Sequence, residues 1–236
     1  MDGLPQDIQA LAAGALAEME ADPRHHLQPQ RRQALYAALA GAADPALRTA
    51  AYWLAVLAAE RVLPLFRAQC PDDELPPALL ATAIGVLEGR VDAATAAEME
   101  EQGYRASKNA WGYEAGELPW PVGLAADAAL RALKEARGYQ PLTDLGPLLR
   151  RGTVELQPGP EDAPPLLPPE PAGPALNDED LCQMESGDTA SLAAVAAASS
   201  EFGPTCDPER LRAFWAWWLQ EALPAALAAA RRGRLA

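Results

Sequence analysis

Three observations predict an all-α fold for this chain of 236 residues. Half of the residues are apolar and most of these are Ala and Leu, the strongest helix formers, whereas β-branched residues are scarce. Proline or a capping Asp opens segment after segment, and glycine closes several of them. Near the C-terminus, Phe214, Trp215, Trp217 and Trp218 place four aromatics within five residues of one helical segment. The expected architecture is a single domain over 1–236, a bundle of about eight helices with a long proline-rich connection before the last two.

The first helix is expected from about Pro5 to Glu20 and the second from Pro29 to Ala40, stopped by Gly41. The third opens at Asp44-Pro45 and reaches about Gln69. Tyr52, Trp53, Leu54, Val56, Leu57, Val62, Leu63, Leu65 and Phe66 make it apolar nearly all round, which marks a central helix with neighbours on several sides. Pro64 within it removes one backbone donor and crowds the preceding turn, so a kink is expected.

Pro71-Asp72-Asp73-Glu74 opens a fourth helix to Glu88, Asp92 caps a fifth to about Ala110, and a sixth spans Pro121 to Arg137. Thr153 to Leu156 reads as a short strand. Eight prolines between 157 and 174 exclude helix and inner strand there. Beyond them, helices at Asp188 to Ala198 and Pro208 to Arg232 are too small a pair to hold a core alone, so they are expected to dock on the first six.

In the last helix, 100° steps from Phe214 put Trp218, Leu211, Ala222 and Ala225 on one face, with Trp215 and Trp217 at its edges. Phe214 and Trp218 are core positions. Trp217 lies farthest out, which makes it either a boundary residue packed under a neighbouring loop or, if partly exposed, a candidate partner anchor. On the third helix Arg61 falls in the stripe Leu47, Leu54, Ala58, Leu65, which predicts a partly buried guanidinium paired with Glu221 or Asp188.

The formal charge of −14 argues against nucleic acid or an anionic membrane as partner and permits a basic protein. No apolar run approaches the roughly 18 residues needed to span a membrane, and Asp2 and Asp7 stand where a signal peptide would be basic, so a cytoplasmic protein is expected. Cys70, Cys182 and Cys206 are far apart and lack a Cys-x-x-Cys pair, which predicts free thiols.

Little in the sequence carries catalysis, and neither an enzyme nor a cofactor or metal is expected. The two histidines, His25 and His26, are adjacent and so cannot share a helix face as zinc-hydrolase ligands do. Glu98 and Glu101 have carboxylate spacing without the histidine that a di-iron bundle adds. Acidic clusters at Asp72, Asp73, Glu74 and at Glu98, Glu100, Glu101 lie on consecutive helices and form a candidate negative patch for a basic partner.

Three blocks in order, Ala59 to Phe66 followed by Pro71 to Pro76, then Val122 to Leu130, then Asp188 to Ser200 with Phe214 to Pro224, resemble family five of the predicted immunity proteins of bacterial polymorphic toxin systems. The resemblance covers about 30–224. It implies an all-helical cytoplasmic protein that neutralises a cognate toxin by direct binding. Gly187, Ser191, Leu192, Ser199 and Ser200 stand where that family carries aromatics and a glycine pair. A helical scaffold without a toxin partner is the alternative, with Pro165 to Pro168 and Pro168 to Pro171 as P-x-x-P ligands.

Overall fold

The computed structural model describes residues 3–111, 118–139, 188–200 and 203–233. The proline-rich stretch, the strand expected at 153–156, Cys182 and Gly187 lie outside the described residues.

The fold is all-α. Its helices are α1 (Gln6–Ala21), α2 (Pro29–Gly41), α3 (Pro45–Gln69), α4 (Leu75–Leu87), α5 (Ala93–Ala106), α6 (Trp120–Ala136) and α7 (Thr189–Ala198). The last, α8, runs Pro208–Trp217, passes through a π turn at Trp218–Ala222 and continues as Leu223–Arg232. Ser199–Ser200 and Gly203–Cys206 form a small antiparallel hairpin, β1 and β2, which the sequence reading did not anticipate.

Side-chain caps set several boundaries. Asp44 accepts from Ala46 N, Asp92 from Thr95 N, and Asp207 from Glu209 N and Arg210 N. Asp188 and Ser191 cap α7 reciprocally. The fourth helix starts later than expected because Asp73 Oδ1 accepts from Leu75 N at 2.9 Å, which makes Asp72 to Glu74 the lead-in to the helix.

Two prolines inside helices are handled differently. The α-helix runs on through Pro64. At Pro224 the five-residue π turn comes just before the ring, where an ordinary turn would have required an N–H and crowded the carbonyl four residues back. A second π turn, Ser107–Trp111, extends α5. Gly123 on α6 admits it, since a Cβ there would overlap the Trp111 carbonyl oxygen.

Helix α3 is the centre of the bundle and packs on α2, α4, α6, α7 and α8. By length and composition α3 could cross a membrane, contrary to the expectation that no apolar run is long enough, but most of it is buried within the fold and contact with five helices accounts for the apolarity. Helix α7, buried along nearly all its length, sits between α3, α6 and α8. The last two helices therefore complete the core begun by the first six.

Candidate partner-binding surface and buried polar centre

Trp217 and Arg61 meet on the seam between α8 and α3. The guanidinium lies over the indole with 4.3 Å to the ring centroid, and the Phe214 ring flanks Trp217 at 5.5 Å. Phe214, Trp215 and Trp218 are buried while Trp217 is half-exposed, as the helical steps predict for the position farthest from the core face. Leu65, one turn beyond Arg61 on α3, is among the few exposed large apolar residues of the described chain.

The expected ion pair of Arg61 is overturned. Arg61 is exposed, Glu221 is exposed and makes no ion pair among the described residues, and Asp188 is committed elsewhere. Leu47, Leu54 and Ala58 of the Arg61 stripe are buried, but toward its C-terminal end α3 comes to the surface, where Glu60, Arg61, Pro64 and Leu65 are exposed.

The arginine of the interior is Arg32, on α2. Its Nε donates to Asp188 Oδ2 at 3.1 Å and its Nη1 donates to the Leu27 carbonyl at 2.6 Å, both side chains of the pair being fully buried. The guanidinium also lies 5.2 Å from the Trp215 ring. Asp188 Oδ1 accepts from Ser191 N at 2.7 Å, so one carboxylate caps α7 and ties it to α2. Beside it, Glu135 of α6 reaches the same helix start: its Oε1 accepts from Thr189 N at 2.9 Å and from Thr189 Oγ1 at 2.8 Å.

The electrostatics follow from this enclosure. Burial first, then the neighbouring Asp188 charge, push the Glu135 carboxyl up to about 7. Burial first, then the Arg32 charge, hold His26 down at about 4, so it is neutral at physiological pH. Burial together with Asp188 and Glu135 raises the Tyr36 hydroxyl. Three helices, α2, α6 and α7, thus converge on one polar centre inside an alanine-rich core.

Sequence reasoning missed Arg32 and Glu135. A signal was present for the first, because Arg32, Leu35, Tyr36 and Leu39 recur at the spacing of one helix face and all are buried. Ser191, Leu192 and Ser199 are likewise buried, whereas Ser200 is exposed.

The acidic clusters divide. Asp73 is structural, since its Oδ2 also accepts from Trp111 Nε1 at 3.2 Å. Glu100 is half-buried in an ion pair with Arg137, and Glu101 pairs with Arg105. Asp72, Glu74 and Glu98 are exposed and carry no ion pair among the described residues. These three are what remains of the predicted patch.

Between α3 and α4 runs a shallow groove of about 350 Å³, lined by Leu63, Pro64, Leu80 and Ile84 with Glu60 and Arg67 at its edge. Partial burial raises the Glu60 carboxyl. Among the described residues no three His, Cys, Asp or Glu side chains gather as a metal site, and Cys70 is a free thiol. No protein-family model matches the chain, and no curated protein matches it.

Proposed function

We propose that this protein neutralises a bacterial toxin by direct protein–protein binding, with Trp217 as the anchor of the contact. The observation that carries this reading is the Trp217–Arg61 stack. A half-exposed tryptophan held between a guanidinium and Phe214 is ordered before any partner arrives, and tryptophan and arginine are the residues that most often dominate binding energy. The formal charge of −14, with Asp72, Glu74, Glu98 and Glu221 exposed, favours a basic partner and fast association with it. The resemblance to predicted immunity proteins points the same way.

The test is co-expression with the C-terminal domain of a large secreted protein encoded beside this chain, scored by growth. Rescue by the wild type, and its loss in Trp217→Ala at equal protein level, is the expected result. Growth arrest despite full expression of the wild type would overturn the inhibitor reading and leave a helical scaffold. Rescue by Trp217→Ala with an unchanged off-rate would move the contact elsewhere on the surface.

A further inference from the structure

The groove between α3 and α4 carries charges of opposite sign on an apolar floor. Glu60 and Arg67 stand two helical turns apart on one face of α3, and Leu63, Pro64, Leu80 and Ile84 supply the apolar lining. Because α4 returns along α3 after the turn at 70–74, Ile84 lies toward Glu60 and Arg67 lies near the turn. Ala81, exposed on α4, borders the same groove with a single methyl group.

The two charges do not serve each other. Seven residues of helix set their backbones about 10 Å apart, and among the described residues no ion pair joins them or holds either one. Arg61, the next residue after Glu60, is turned away to the Trp217 ring. Partial burial is what raises the Glu60 carboxyl, with no cation to offset it. Pro64 adds a second acceptor at that end, because it has no N–H to donate to the Glu60 carbonyl four residues back.

The geometry points to this groove as the seat of an amphipathic helix of a partner protein, one with a Lys or Arg for Glu60, an Asp or Glu for Arg67 seven positions away, and apolar residues between. A helix repeats the spacing that the groove offers. Its positions i and i+7 are also about 10 Å apart on one face, and i+3 and i+4 between them point at the floor. The inference rests on the reading that a partner grips Trp217, and the two surfaces are continuous: Arg61 and Leu65 form the exposed ridge of α3 next to Glu60 and Pro64, and Arg61 carries the Trp217 stack. A partner seated on Trp217 therefore reaches the groove across one ridge, and the anchor fixes the direction in which its helix runs.

The test is surface plasmon resonance against the C-terminal toxin domain used for co-expression. The double variant Glu60→Lys, Arg67→Glu exchanges the two charges without altering net charge, and its Kd should rise roughly tenfold, the loss of two exposed pairs. Ala81→Leu narrows the groove without touching a charge and should also raise Kd roughly tenfold. All three positions are exposed, so both proteins should melt near the wild type. Alanine scanning of the bound partner segment should find sensitive positions at three- and four-residue spacing. A wild type that does not bind the domain removes the partner reading and the groove with it. Wild-type affinity in both groove variants, with Trp217→Ala still weakened, keeps the partner reading and overturns the groove alone. Sensitive positions at a spacing of two would mean an extended segment and overturn the helix.

Discussion

Arg32 and Asp188 bond to each other at 3.1 Å inside the core although 156 positions separate them in the chain. Each also serves a second purpose, Arg32 at the Leu27 carbonyl and Asp188 at the start of α7, so removing either leaves more than one group unsatisfied. Arg32→Met should therefore cost about 3 to 5 kcal/mol in urea unfolding, the range for stranding a buried charge. Arg61→Leu should cost at most about 1, because it removes only a surface stack. Equal losses from the two variants would contradict the assignment of inside and outside.

The pH profile should hide two opposed titrations. Glu135 in the folded chain holds its proton up to about 7, above the ordinary 4.5, so stability is greatest below 4.5 and declines as pH rises to 7. His26 resists its proton down to about 4 against an ordinary 6.5, so stability is greatest above 6.5 and declines as pH falls to 4. Each slope is about 1.4 kcal/mol per pH unit, and they nearly cancel where they overlap. Glu135→Gln keeps an oxygen for Thr189 and removes one slope, so its stability should rise with pH across that overlap, relative to wild type. His26→Gln should show the opposite trend. Unfolding midpoints measured from pH 4 to 8 check both, and parallel curves for all three proteins would reject the coupling.

Glycine substitutions should separate two roles. Gly123→Ala drives a methyl group into the Trp111 carbonyl and should cost about 1 to 3 kcal/mol, as overpacking does. Gly14, inside α1, has open space where a Cβ would go, so Gly14→Ala should stabilise by about 0.5 to 1 kcal/mol. Thermal melts of the two single variants give the signs.

Charge reversal on α5 is not uniform. Glu98→Lys should leave the melting temperature near that of wild type. Glu100→Lys sets two cations together in the half-buried pair with Arg137, and its cost should fall between about 1 and about 3 kcal/mol. A binding experiment on the acidic surface should therefore use Glu98 with Asp72 and Glu74, which leave the fold intact. Equal melting temperatures for Glu98→Lys and Glu100→Lys would place Glu100 in solvent.

Local signals made the helices legible. Asp44-Pro45, Asp92 and Asp207-Pro208 each mark a helix start through a bond that spans two or three residues, and such bonds can be read from the chain alone. The outward position of Trp217 was legible for the same reason, since the α8 face has one apolar centre to count from. Arg61 was not, because α3 is apolar nearly all round and every stripe looks internal. The Arg32–Asp188–Glu135 centre joins α2, α6 and α7, and no local pattern reports that three distant segments share one pocket of charge. The π turns were equally silent, though Pro224 and Gly123 mark where each is needed.

The central position of α3 has a consequence for synthesis. A ribosome adds about 5–20 residues per second, so α3 emerges on the order of ten to thirty seconds before α8 exists to cover it. During that interval a helix apolar on most sides is bound only by the neighbours already made. The Phe214–Trp218 cluster, by which α8 packs into the core, is among the last parts of the described chain to be translated. A nascent chain stalled before Asp207 should accordingly be a substrate for chaperones that hold exposed apolar helices, and one extended past Arg232 should not.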